Sequence, residues 1–93
     1  MNVTPENILY NELIGLSVSV VGSADHSLLG ISGTVVDETA KMLVVSPTGS
    51  AGRKMIPKKV SRFSFFIPEA VVVEGREIML SPEERLKRLQ RRL

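Results

Sequence analysis

The chain has 93 residues, enough for one domain with a modest core and too few for a second. Apolar residues make up 43% and charged residues 24%, a globular balance that excludes disorder of the whole. The absence of cysteine removes disulfides, thiolate metal sites and thiol nucleophiles, and it points to a reducing, cytoplasmic setting.

The net charge of +2 conceals a division along the chain. Among residues 1–52 the only base is Lys41, against Glu6, Glu12, Asp25, Asp37 and Glu38. Residues 53–93 carry eleven bases against five acids. Such asymmetry is the electrostatic mark of a polyanion partner for the second half. The segment Met1 to Glu12 has two acids, no base and no continuous apolar run, unlike a secretory signal, and no later stretch reaches membrane-spanning length, so a soluble protein is expected.

Taken in order, the chain begins with a predicted short helix over about 4–14. Thr4 can cap it, Pro5 takes the first helical position, Ile8, Leu9, Leu13 and Ile14 share an apolar stripe, and Gly15 can end it in a left-handed conformation. That stripe can cover the domain's own core or dock on a protein partner, with Ile8, Leu9 and Leu13 as the docking candidates. From Leu16 the period switches to alternation, Leu16, Val18 and Val20 against Ser17 and Ser19, as in a half-buried strand. After a turn at residues 22–26, Leu28 to Val36 reads as a strand in which Gly30 and Gly33 suggest bending or a bulge. Further strands are predicted at Met42 to Ser46, Lys54 to Ile56, Arg62 to Ile67, Ala70 to Val73 and Glu77 to Leu80, the last two joined by a tight turn at Glu74-Gly75. Phe63, Phe65 and Ile67 share one face and should be core, whereas Phe66 points the other way and is the candidate for exposure. Ser81-Pro82-Glu83-Glu84 combines a capping-box serine with proline at the first helical position and starts a helix over about 82–93. Leu86, Leu89 and Leu93 would form its apolar seam. Six or seven short strands with no long helix between them describe a mainly β domain spanning 1–93, an antiparallel sheet curled into a small barrel with short terminal helices.

Catalytic groups are sparse. His26 is the only histidine and sits beside Asp25 in a polar turn, where a solvated role is the simpler reading. Asp37-Glu38 could in principle hold Mg²⁺, but adjacent strand residues face opposite ways, which favours a turn or a salt bridge. There is no phosphate-binding glycine loop before a helix and no nucleophile and base spacing that stands out. No catalytic residue and no metal ligand is expected. The basic cluster differs in kind: Arg53, Lys54, Lys58, Lys59 and Arg62 fall within ten residues, and Arg85, Arg88, Arg91 and Arg92 recur along the last helix. Both are candidate RNA-binding surfaces whose phosphate contacts would make binding salt-dependent. On this reading, Lys58→Glu with Arg62→Glu should weaken RNA binding and leave the fold intact.

Several strings carry a resemblance. Glu12-Leu13-Ile14-Gly15-Leu16, the run Gly30-Ile31-Ser32-Gly33-Thr34-Val35-Val36-Asp37-Glu38-Thr39 leading to Met42-Leu43, Lys54-Met55-Ile56-Pro57-Lys58 leading to Phe63-Ser64-Phe65, and Ser81-Pro82-Glu83-Glu84-Arg85-Leu86 follow one another in order. Together they resemble the family of archaeal ribonuclease P protein component 1, which includes the eukaryotic subunit Pop4. The resemblance implies an Sm-like barrel of strongly bent antiparallel strands. It implies an RNA-binding, non-catalytic subunit of the ribonucleoprotein that removes the 5′ leader from precursor tRNA. It also implies partnership with the ribonuclease P RNA, a zinc-ribbon protein subunit and other protein subunits. No cofactor would be bound by the chain itself, Mg²⁺ being held by the RNA. A barrel alone would also permit a self-assembling Sm-like ring that binds single-stranded RNA.

Overall fold

The structure, a computed structural model, describes residues 8–10 and 12–92. Among these residues six strands form in chain order: β1 (Ser17–Ser23), β2 (Ser32–Glu38), β3 (Met42–Pro47), β4 (Lys54–Pro57), β5 (Ser61–Phe66) and β6 (Ala70–Glu74). They make one antiparallel sheet of order β4-β3-β2-β1-β5-β6. The alternation read from the sequence decides its faces. Val18, Val20, Val35, Leu43, Val45, Ile56, Phe63, Phe65 and Val73 point inward and are buried, while Ser17, Thr34, Arg62 and Phe66 point outward. Phe63 and Phe65 lie at the core with ring centroids 6.1 Å apart, and each fully buried phenylalanine contributes about 1.5–3 kcal/mol relative to exposure.

The sheet bends at register shifts between Val20 and Gly22 on β1 and between Val35 and Asp37 on β2. Gly33, expected to bend its strand, instead permits a close approach: a Cβ there would lie 1.9 Å from the Ser46 carbonyl oxygen on β3. Closure into a barrel does not occur through strand pairing, because β4 and β6 remain the two ends of the sheet. The residues just beyond them do meet, since Lys58 follows β4 and its carbonyl packs against Gly75, which follows β6.

Three local expectations change. Strand β2 begins at Ser32 rather than Leu28, because residues 26–28 form a 3-10 turn whose start is capped by Asp25, accepting from the Ser27 amide at 3.0 Å and the Ser27 hydroxyl at 2.7 Å. Those two bonds hold the Asp25 carboxyl below its ordinary range. Glu74-Gly75 does not turn into a seventh strand over Glu77 to Leu80. It enters a 3-10 turn, Gly75–Ile78, that drops Ile78 into the core. Among the described residues near the N-terminus, Ile8–Tyr10 form a 3-10 turn and residues 12–14 are not helical; the rest of the predicted helix, Thr4 and Pro5 included, lies outside the described residues. Gly15 does take positive φ, and its amide donates to the Val35 carbonyl at 2.8 Å. Ile8 and Leu13 are buried and Leu9 packs against them, so this segment covers the domain's own core, and the three residues are not a free docking stripe.

The helix α1 (Pro82–Arg92) starts where the sequence placed it, with the Glu84 amide donating to the Ser81 hydroxyl. Its packing differs from the expected leucine seam. Leu86 is exposed and Arg85 is buried, while Leu89 and Leu93 lie outside the residues whose side chains are described.

The junction of the two sheet ends gives a test of closure. A Cβ on residue 75 would sit 1.6 Å from the Lys58 carbonyl oxygen and 2.7 Å from that of Ser61, both backbone atoms that cannot swing away. Gly75→Ala should therefore lower stability by about 3 kcal/mol, the upper part of the overpacking range, read as a fall in the urea midpoint.

Candidate nucleic-acid interface

The cations of the second half divide into buried and exposed sets. Lys58 and Arg85, both expected among the RNA-binding residues, are 0% and 3% exposed and converge on buried Glu38. The Lys58 ammonium donates to Glu38 Oε2 at 2.6 Å and to the carbonyls of Thr39 at 2.7 Å and Leu80 at 3.0 Å. The Arg85 guanidinium forks onto both Glu38 oxygens and donates to the carbonyls of Ile78 at 3.1 Å and Leu80 at 2.9 Å. Burial pulls the Lys58 ammonium below the ordinary lysine range, against the opposing attraction of Glu38. These two residues are thus removed from the RNA-binding set, because their donors are consumed inside the protein. Lys58→Glu, far from leaving the fold intact, would place a second carboxylate against Glu38.

Glu38 itself is the residue whose role sequence reasoning understated. Its salt-bridge reading holds, and the Mg²⁺ alternative does not: both its oxygens are taken by cations, while Asp37 lies exposed at the bulge with Oδ1 accepting from the Glu38 amide at 2.8 Å. The signal was present in the run Asp37-Glu38-Thr39, since a β-bulge can turn one of two adjacent acids inward. Among the described residues no group of three or more His, Cys, Asp or Glu side chains stands together. His26 is exposed and its neighbour Asp25 is tied to Ser27.

Lys59, Arg62 and Arg76 are exposed and line one cleft of about 590 Å³ together with Glu74 and residues 22–24. β5 places Arg62 on the outer face beside Gly22 of β1, whose lack of a side chain leaves room for the arginine stem. The 3-10 turn after β6 brings in Arg76, which the expected hairpin would have sent elsewhere. Arg62 is paired with Glu74 in an ion pair about half exposed, so the cleft carries three cations and one acid. Arg53, just before the edge strand β4, and Lys54, at its start, are exposed four places from β5 in the sheet order and do not join this cleft. Side chains of Arg88, Arg91 and Arg92 lie outside the described residues. From the cleft the outer face continues along β5 through Ser64 to Phe66, which is 61% exposed.

A small antiparallel β domain that offers an open cationic cleft, with its titratable core groups consumed in an internal ion cluster, belongs to the class of polyanion-binding modules. Residues 6–88 match the family described as ribonuclease P/MRP, subunit p29. The chain is 41% identical to ribonuclease P protein component 1 of Staphylothermus marinus over 98% of this chain and 100% of that one. It is 43% identical to the component of the same name from Methanothermobacter thermautotrophicus, over 92% and 94% respectively. The solved structure of Mth11, a homologue of human RNase P protein Rpp29, superposes with a TM-score of 0.59 at 40% identity, covering 81% of this chain and 97% of that one. The chain belongs to the ribonuclease P/MRP subunit p29 family, and it is an RNA-binding protein subunit of ribonuclease P.

Proposed function

We propose that this subunit contributes no catalytic group to ribonuclease P and acts by neutralising phosphates and holding the shape of the RNA subunit, which aids recognition of precursor tRNA. The observation that carries the reading is the exposed Lys59, Arg62 and Arg76 cleft on a domain whose buried ionisable side chains, Glu38, Lys58 and Arg85, are engaged with one another. In this reading the RNA supplies the Mg²⁺ sites, and the protein lowers the magnesium concentration at which that RNA is folded and active. Partnership with a zinc-ribbon subunit, kinship with eukaryotic Pop4 and a cytoplasmic setting belong to the same proposal. An Sm-like relationship is supported by the two bulged strands and by the approach of Lys58 to Gly75, which curl the sheet toward a barrel.

Reconstitution tests it. Adding the chain to the cognate RNA and remaining protein subunits should shift the magnesium dependence of leader cleavage to lower concentration, and the isolated chain should leave precursor tRNA intact. An unchanged magnesium profile would refute the role in RNA folding, and cleavage by the isolated chain would refute the non-catalytic assignment.

A further inference from the structure

The outer face of β1, β2, β5 and β6 is unusual in composition. Reading across the strands, one row runs Thr34, Ser17, Phe66, Ala70 and the next runs Ser32, Ser19, Ser64, Val72. The row beyond that holds Gly22, Arg62 and Glu74, so the face opens directly into the cationic cleft. Phe66 thus stands among side chains too small to cover it, above a shallow depression of about 320 Å³ lined by Ser17, Ser19, Ser32, Thr34 and Ser64. The Ser19 and Ser32 hydroxyls are 2.8 Å apart, and each hydroxyl can both donate and accept.

We infer that this face binds a short unpaired RNA segment, one base stacked on Phe66 and its sugars and base edges against the serine and threonine hydroxyls, with the adjoining phosphates held by Arg62, Lys59 and Arg76. The inference rests on the RNA-binding reading and names a surface and a strand state that reading leaves open. Three features favour this occupant. An aromatic face accepts any unstacked base, which a duplex does not present. Hydroxyls that donate and accept match the ribose 2′-hydroxyl, which does the same. Phe66 and Arg62 lie four residues apart on one strand, about 13 Å, so a strand running along β5 meets a stacking platform and then a cationic cleft. A protein partner would instead call for a broad apolar patch, whereas here Phe66 and its diagonal neighbour Val72 are flanked by Ser17, Ser19, Ser64 and Ala70.

The chain contains no tryptophan, so Phe66→Trp installs a single indole reporter on the platform. Titration of the full chain with a ten-nucleotide oligouridylate, followed by indole emission and by anisotropy of a label on the RNA, should show quenching that saturates together with the anisotropy. A blunt RNA duplex of the same length should quench little. Phe66→Ala should weaken oligouridylate binding about 5- to 160-fold, the span of one base stacked on one ring, and Phe66→Tyr should restore it. Anisotropy that rises without quenching, and an indifferent Phe66→Ala, would move the RNA to another surface and overturn the inference while leaving the RNA-binding reading standing. Equal quenching by the duplex would overturn the single-strand assignment. Indole emission that responds to another protein subunit and not to RNA would make the face a protein interface. Failure of both oligouridylate and the ribonuclease P RNA to change anisotropy would overturn the RNA-binding reading itself.

Discussion

Replacing Glu38 with alanine should destabilise the chain by about 3–5 kcal/mol, the cost of leaving buried charge uncompensated. Glu38 is the acid shared by two buried cations, and its loss takes from the Lys58 ammonium and the Arg85 guanidinium the carboxylate that both contact, leaving them side by side in the interior near the carbonyls of Thr39 and Ile78. Lys58→Met should cost less, about 1–3 kcal/mol, because the Glu38 and Arg85 pair stays charge-balanced and the main loss is the donor to the Thr39 carbonyl. Urea unfolding of the two variants checks the order. The lowered Lys58 pKa adds a dependence on pH. Between that lowered value and 10.5 the unfolded chain holds more protons at this site than the folded one, so the Lys58 contribution to stability rises with pH across that window and is level below it. Lys58→Met should flatten this alkaline rise. A steeper rise in the variant would place the proton uptake on another group.

The cluster also explains how much of the molecule could be read from residue order. Strands β1 and β5 were legible because apolar and polar residues alternate, Val18 and Val20 against Ser17 and Ser19 and Phe63 and Phe65 against Arg62 and Ser64, whereas β3 was legible as a short apolar run from Met42 to Val45. The start of α1 was legible because Ser81, Pro82 and Glu84 each satisfy a local requirement of a helix N-terminus. Burial of Lys58 and Arg85 was not legible, since charged residue types are surface residues unless a partner from a distant segment meets them, and Glu38 is 20 residues from one and 47 from the other. The seventh strand failed for the same reason. Glu77 to Leu80 is a short, largely apolar run that a strand could take, but the fit of Gly75 against Lys58 redirects the chain, and Leu80 takes a positive φ of 85° with its carbonyl accepting from the two cations. Of the nine cations proposed for RNA, Lys59 and Arg62 line the cleft, and Arg76 joins them only once that turn is known.

Reversing the charges of the cleft should produce the largest change in RNA affinity. In Lys59→Glu with Arg62→Glu and Arg76→Glu, each phosphate that is no longer neutralised takes about 0.7–0.9 off the slope of log K against log salt, so up to three such phosphates should flatten the slope by about two to three. The fold should survive, since all three side chains are exposed and the Arg62 and Glu74 pair, half in solvent, is worth at most about 1 kcal/mol. Two controls fix the surface. Arg53→Glu with Lys54→Glu makes the same kind of change at the start of edge strand β4, outside the cleft, and should alter the slope less. Glu74→Gln works in the opposite direction: it frees Arg62 from its internal carboxylate and removes the one acid among the cations, so binding should tighten and the slope should steepen. Anisotropy titrations of the ribonuclease P RNA at a series of potassium concentrations read all three variants. Equal losses of affinity from the cleft and from the β4 edge would show that the RNA responds to total charge and not to the cleft. Weaker binding in Glu74→Gln would mean that the Arg62 and Glu74 pair shapes the site in its paired form, with Arg62 presenting its outer donors to phosphate while Glu74 holds its stem in place.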